Sequence, residues 1–238
     1  MGRGNLCGEK SLICFIEKRN TFLLGLLLAI SGIHLWAQIY GQVQIASVSK
    51  ALVIPALALW AFKRFNPSRL YGFALLFSWF GDLLLIPDGT VYFILGILAF
   101  WAAQLVYCNL MLRHLEVSFL KQFSKKEALF PLIVLGGYLV FMLSLMWPRL
   151  GVLQLPVSLY ATTLTITGFL GTLIAIQHNN KRAKILALGT LLFVISDSMI
   201  AFDAFYFGQA KFTYWIMVTY IPAQYCIAIF LAPSEGEK

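Results

Sequence analysis

The strongest constraint on this chain is a series of apolar stretches, each long enough to cross a lipid bilayer. A transmembrane helix needs about 20 predominantly apolar residues. Such stretches follow one another along most of the chain, at approximately residues 20–40, 45–62, 70–86, 91–112, 128–147, 151–177, 184–206 and 212–232. The sequence therefore predicts an all-α, polytopic membrane bundle of eight transmembrane helices.

The composition leaves no room for a separate water-soluble domain. Of the 238 residues, 60% are hydrophobic and only 12% are charged, whereas a soluble domain carries about 25% charged residues. The connections between the apolar stretches are too short for a catalytic domain, a dinucleotide fold or a nucleic-acid module. Residues 1–238 are predicted to form a single integral membrane domain, and any activity must lie inside the bundle.

The positions of the basic residues predict the orientation of the helices. The net charge is +8, but the 18 Lys and Arg residues are concentrated in alternate connections. Fifteen lie at the termini or after the second, fourth and sixth stretches, while only Arg149 and Lys211 lie on the other side and Lys50 lies within a stretch. Basic residues mark cytoplasmic loops, so both termini are predicted to be cytoplasmic and no nucleic-acid partner is expected.

The termini and the cysteines bear on the cellular location. The first 20 residues contain no apolar region before a small-residue cleavage site, so the first stretch is expected to remain as the insertion signal. Cys7, Cys14, Cys108 and Cys226 show no paired spacing and are expected to be reduced thiols. The predicted location is a bacterial inner membrane or, in a eukaryote, the endoplasmic reticulum; the sequence does not predict the oligomeric state.

Three ionisable residues interrupt the apolar stretches: Lys50, Asp82 and Asp197. A charge at the bilayer centre costs about 2.5–3.5 kcal/mol or more, so such residues usually face the bundle interior and pair or perform chemistry. Each aspartate lies thirteen residues beyond a basic residue, Arg69 or Lys184, which corresponds to about 20 Å along a helix. The two aspartates are therefore predicted to lie at the same depth. The small residues before them, Gly81 and Ser196, are predicted to leave room for a substrate.

Lys50 has two possible uses. It can act as a structural counter-ion to one aspartate, because Lys and Asp pairs inside membranes neutralise each other. It can also hold an anionic group of a substrate, such as a lipid phosphate. The sequence leaves both open.

Further polar residues are predicted to lie in the same layer as the two acids. A single buried tyrosine usually has a packing or interfacial role, so it is the convergence of several polar groups that indicates a binding site. The predicted substrate-binding residues, besides Lys50, are Ser78, Gln104, Tyr107, Tyr160, Ser196, Tyr220 and Gln224.

The remaining acids and histidines suggest structural roles. Asp203 lies six residues beyond Asp197, about 240° further around a helix, and is predicted to be a solvated helix-end residue. His34 is predicted to be a hydrogen-bonded interior histidine, while His114 and His178 fall in predicted cytoplasmic loops. Histidines distributed in this way do not form a three-His zinc site, and no metal is predicted.

Several of these segments resemble the YhhN-type membrane proteins, a family that includes lysoplasmalogenases. The resemblance spans most of the chain and rests on "LLFSWFGDLLLI", "FILGILAFWAAQLVY", "LGTLLFVISDSMIAF" and "TYIPAQYCIA", and "SKALVIP" resembles the lysine–proline segment of the family. Family members often carry a histidine where this chain has Gln104. A glutamine can replace a histidine that only orients water or a headgroup through hydrogen bonds, but not one that carries a proton.

The resemblance implies an ether hydrolase that acts on lysophospholipids drawn from the bilayer. Its substrate would be a lysoplasmalogen, whose vinyl ether bond is hydrolysed to a fatty aldehyde and glycerophosphoethanolamine or glycerophosphocholine. The residues fit this chemistry, which needs an acid, an anion that stabilises an oxocarbenium ion, and a base for water, but no metal or cofactor. Asp82 and Asp197 are the predicted catalytic pair, with their individual roles open.

Two other classes of function fit the same residues. Paired acids inside a membrane also form proton relays, so a proton-coupled transporter of lipids or small molecules is the main alternative. A third possibility is a structural membrane protein in which the contacts between Lys50 and the aspartates only fix helix packing.

Overall fold

The computed structural model describes residues 4–115 and 125–233, with side chains described from residue 19 in the first range and from residue 127 in the second. These ranges form helices and contain no β-strand. The α-helices are α1 (Gly4–Ile39), α2 (Val43–Phe65), α3 (Arg69–Leu84), α4 (Thr90–Leu112), α5 (Lys125–Leu150), α6 (Gln154–His178), α7 (Lys181–Ala201) and α8 (Thr213–Leu231). A short 3₁₀ turn, Gly151–Leu153, joins α5 to α6, and a π-helical segment, Phe202–Phe207, continues α7.

Six stretches of the described residues are long and apolar enough to cross a membrane: Arg19–Ile39, Val43–Phe65, Thr90–Leu112, Glu127–His178, Lys181–Phe207 and Thr213–Leu231. One of them, Glu127–His178, contains most of α5 and all of α6. Helix α3, with 16 residues, is not among them. The protein is thus an all-helical, multi-pass integral membrane protein, while eight crossings and cytoplasmic termini stay predictions.

The two helices that carry the aspartates begin in similar ways. The residue that caps the C-terminus of α2, Asn66, is in the left-handed conformation, and the side chain of Ser68 then accepts a hydrogen bond from the backbone N–H of Tyr71 at the start of α3. The residue that caps the C-terminus of α6, Asn179, is also left-handed, and the side chain of Asn180 accepts a hydrogen bond from the N–H of Ala183 at the start of α7. Asn tolerates this backbone conformation and polar caps satisfy free N–H groups, so both boundaries are encoded locally.

Seven of the described helices pack in a ring. The contacts run from α1 to α2, α3, α4, α6, α7 and α8, and α8 closes the ring by contacting α1 and α2. Helix α5 lies outside it, against α6 and the π-helical segment, and exposes a row of large apolar side chains, including Phe130, Ile133 and Phe141, as expected for a lipid-facing surface. The polar side chains of the predicted site project into the interior of the ring.

Helices α7 and α8 approach each other closely at Gly189. A Cβ atom there would lie 2.7 Å from the Cβ of Cys226 and 3.0 Å from the backbone oxygen of Ala223. Small residues at helix contacts let backbones pack tightly in membranes. This contact fixes α8, which supplies Tyr220 and Gln224, against α7, which supplies Asp197.

Candidate functional site

Asp82 is the end point of a buried chain of hydrogen bonds between three helices. Its carboxyl group, on α3, is 2% exposed, and its Oδ2 accepts a hydrogen bond of 2.9 Å from the Tyr220 hydroxyl on α8. The Tyr220 oxygen accepts from Nε2 of Gln224 at 3.2 Å. Oε1 of Gln224 accepts from the Tyr107 hydroxyl, on α4, at 2.8 Å. Tyr220 and Gln224 are four residues apart, so they share one face of α8.

Asp197 has a hydrogen-bond partner of its own, apart from the chain that ends at Asp82. It lies on α7, is 6% exposed, and its Oδ2 accepts a hydrogen bond from the Tyr160 hydroxyl on α6. It is also within electrostatic reach of Asp82. The two aspartates are therefore near enough to interact electrostatically, and their common depth stays a prediction.

An aromatic cluster packs against the Asp82 side of this layer. The rings of Phe100, Phe193 and Tyr220 have centroids 5.4 to 6.4 Å apart, all in edge-to-face arrangements. A Cβ atom on Gly81 would lie 2.5 Å from the Phe100 ring. The prediction that Gly81 leaves room for a substrate is therefore wrong, because the space beside it holds this ring.

Ser196 has a hydrogen-bond partner on a neighbouring helix. It is buried, and its hydroxyl donates a hydrogen bond of 3.2 Å to the backbone oxygen of Ile216 on α8. The hydroxyl thus ties α7 to α8 beside Asp197, and its role in substrate binding stays a prediction.

Lys50 lies on α2, half-buried and within electrostatic reach of Asp82. Its second neighbour is His34 on α1, which also interacts with it electrostatically. His34 is buried, and its Nδ1 lies 3.0 Å from both the backbone oxygen of Ala46 and the Ser49 hydroxyl. Because a carbonyl oxygen only accepts, Nδ1 is the protonated nitrogen. The prediction of an interior, hydrogen-bonded histidine is confirmed, although the sequence did not connect it to Lys50.

The other predicted polar residues lie on the α3 and α4 faces of the layer. Ser78 is buried one turn before Asp82 and next to the Tyr107 hydroxyl. Gln104 is fully buried, and neither atom of its amide group has a hydrogen-bond partner among the described residues. The donor and acceptor of Gln104 are thus left for another group in the interior.

The sequence reasoning missed Tyr71. This side chain is fully buried, and its ring centroid lies 6.4 Å from that of Tyr107. The signal was present in the spacing, since residues 71, 75, 78 and 82 recur at the helical period and share one face of α3. Tyr71 extends the polar face of this helix towards its N-terminus.

A groove lies between α1 and α2. It has a volume of about 310 Å³ and is lined by Ile30, Ile33, Gln44, Ile45, Val48, Ser49 and Leu52. Apart from Gln44 and Ser49, its lining side chains are apolar. Ser49 also contacts His34, whereas neither Lys50 nor either aspartate lines the groove.

The family model of the YhhN family matches residues 45–231. The match includes both aspartates and all the other predicted site residues, whereas α1 with His34 precedes it. A comparison with curated proteins and one with solved structures each found no significant match. Because the family match covers most of the 238 residues and runs from α2 to the end of α8, the chain belongs to the YhhN family.

Proposed function

We propose that this protein is a lysoplasmalogenase, which hydrolyses the vinyl ether bond of lysoplasmalogens within the membrane. The observation that carries the proposal is a pair of buried carboxyl groups, Asp82 and Asp197, within electrostatic reach of each other and each bonded to a tyrosine hydroxyl. Two carboxyl groups in different environments are the arrangement that acid and base catalysis at an ether bond requires. Membership in the YhhN family supports the same activity.

The reaction needs only water and the two carboxyl groups. One carboxyl group transfers its proton to the β-carbon of the vinyl ether, so that a C–H bond forms and the α-carbon becomes an oxocarbenium ion. The other, as carboxylate, stabilises the positive charge. Water then bonds to the α-carbon and gives one proton to a carboxylate. The hemiacetal collapses as its C–O bond to glycerol breaks and the hydroxyl proton moves to the glycerol oxygen, which releases the fatty aldehyde and glycerophosphoethanolamine or glycerophosphocholine.

A cation near Asp82 and an apolar groove between two helices of the bundle suit a single-chain lipid. Lys50 supplies a cation for the phosphate, and this use is compatible with its electrostatic interaction with Asp82 in the absence of substrate. The apolar groove between α1 and α2 suits the alkenyl chain. Gln104, Tyr107, Tyr160 and Gln224 are the proposed positioning groups for headgroup and water.

The decisive experiment is aldehyde release from a lysoplasmalogen by detergent-purified protein. Saturated ether and acyl lysolipids are the substrate controls, and Asp82→Asn and Asp197→Asn are the variants. In D₂O the aldehyde should carry one deuterium on the carbon next to the carbonyl, because that carbon is protonated by a group that exchanges with solvent. Vinyl-ether-specific turnover that both variants lose would support the proposal, whereas a folded wild-type protein without turnover would refute it.

The hydrogen-bonded chain that ends at Asp82 favours one alternative function. Linked hydroxyl, amide and carboxyl groups inside a membrane also serve as proton relays in transporters. A proton-coupled carrier would move lipid or a small molecule across a sealed vesicle in response to a pH gradient and release no aldehyde. The vesicle assay and the aldehyde assay therefore separate the two functions.

A further inference from the structure

We propose that the two aspartates have fixed and different roles: Asp82 is the permanent carboxylate that stabilises the oxocarbenium ion, and Asp197 carries the proton that is transferred to carbon. In this assignment Tyr107, Gln224 and Tyr220 are positioning residues that direct hydrogen-bond donors towards Asp82. The inference rests on the proposed function, which requires one acid and one anion but does not say which is which.

The first argument is the direction of the hydrogen-bonded chain. The amide N–H of Gln224 points at the Tyr220 oxygen, so this oxygen is already an acceptor. The hydroxyl proton of Tyr220 is therefore directed to Oδ2 of Asp82. The Tyr107 hydroxyl, in turn, occupies Oε1 of Gln224 and so holds the amide in this orientation. Every bond in this chain donates towards Asp82, so Tyr220 is held as a donor to Asp82, which suits a carboxylate. Asp197 also has a tyrosine partner, Tyr160, but no described residue donates to the Tyr160 oxygen, so this contact suits a protonated carboxyl group as well.

The second argument is the distribution of charge around the two groups. Asp82 interacts with Lys50 from α2, Tyr220 from α8 and Asp197 from α7, while Phe100 of α4 packs against the preceding residue, Gly81. Lys50 itself is faced by His34 from α1. Asp197 is faced by Tyr160 from α6 and by Asp82, and neither is a cation. Two carboxyl groups within electrostatic reach of each other disfavour ionising at once, and the only cation near either of them, among the described residues, interacts with Asp82. The single proton of the pair is thus left on Asp197.

This assignment closes the reaction cycle without a proton from outside the site. Asp197 gives its proton to the β-carbon and becomes a carboxylate. The water that attacks the α-carbon returns a proton to Asp197, while Asp82 keeps its negative charge throughout. One water molecule is consumed, and both aspartates end the cycle in the state in which they began.

An infrared measurement on the purified protein tests the roles without any substrate. At neutral pH the wild type should show the C=O stretching band of one protonated carboxyl group in an apolar environment, and Asp197→Asn should remove it. Tyr160→Phe should shift the band, since it removes the hydrogen bond to Asp197, and Tyr220→Phe should leave it in place. The two Tyr→Phe variants form a matched pair, because each loses one hydroxyl and keeps its ring.

The same variants are then compared by the pH profile of kcat/KM for aldehyde release. The acid limb of this profile reports the ionisation of Asp82, and Tyr220→Phe and, less strongly, Tyr107→Phe should move it. The alkaline limb reports the loss of the proton from Asp197, and Tyr160→Phe should move it. A merely structural role of these tyrosines would lower the rate without moving a limb. A wild type without the infrared band, a band that persists in Asp197→Asn, or a band that responds to Tyr220→Phe instead of Tyr160→Phe would overturn the inference. Absent aldehyde release would instead overturn the proposed function, which the infrared result does not test.

Discussion

Asp197 and Asp203 are six residues apart on one continuous helical segment, yet their surroundings differ completely. Asp197 is buried and bonded to a side chain from another helix, the Tyr160 hydroxyl. Asp203 is half-buried, and its carboxylate accepts backbone N–H groups of the following turn, from Lys211 at 3.0 Å and Phe212 at 2.9 Å. It is a cap for the turn before α8, so the prediction of a simply solvated residue needs correction. The comparison teaches that the partner of an acid, and not its presence in an apolar segment, indicates whether it is available for chemistry.

The largest expected effect is the loss of activity in Asp197→Asn. The substitution keeps the size of the side chain but removes the proton that the proposed reaction transfers, and general acid catalysis contributes about 10²- to 10⁴-fold. The rate of aldehyde release should fall by that factor while the unfolding temperature in detergent stays close to that of the wild type. Asp203→Asn is the matched control and should keep its activity. Equal losses in the two variants would remove the distinction between the two acids.

A smaller effect, on stability and not on activity, is expected for Asp203→Ala. The variant leaves the N–H groups of Lys211 and Phe212 without their acceptor, which at a helix cap costs about 0.5–2 kcal/mol. The unfolding midpoint should fall, whereas the activity per folded molecule should remain within about twofold of the wild type. A stable Asp203→Ala protein that has lost its activity would place Asp203 in the site.

The smallest effect is expected for Ser196→Ala, directly beside Asp197. The variant loses one hydrogen bond to the Ile216 carbonyl, worth about 0.5–1.5 kcal/mol. Stability should fall slightly and KM for the lysolipid should not change. A clear rise in KM at unchanged stability would instead support the predicted role of Ser196 in substrate binding.

The sequence predicted the helical class well because apolar stretches of bilayer length have few alternative structures. It located the membrane-embedded parts of helices better than their ends. Helix α1, for example, begins at Gly4 and not near residue 20, since polar residues outside the bilayer do not stop a helix. The helix ends that local sequence does indicate are those with a polar capping residue, such as Ser68 before α3 and Asn180 before α7.

The candidate site was only partly predictable for a different reason. Spacing along a helix shows which residues share a face, and this was enough to select Asp82 and Asp197. It does not show which face of another helix lies opposite, so the contact of Tyr220 with Asp82, 138 residues away, and that of His34 with Ser49 appeared only in the structure. Gly81 was misinterpreted for the same reason, because its neighbour Phe100 comes from another helix.

The length of α3 has a consequence for how water reaches the site. Its 16 residues rise about 24 Å, which is less than the hydrocarbon thickness of about 30 Å. Asp82 lies only two residues before the end of this helix, and the segment that follows, Pro87–Asp88–Gly89, is exposed and polar. Asp82 therefore lies close along the chain to the water-exposed connection between α3 and α4. A hydrolase in this bundle would receive its lipid from the side and its water from that end.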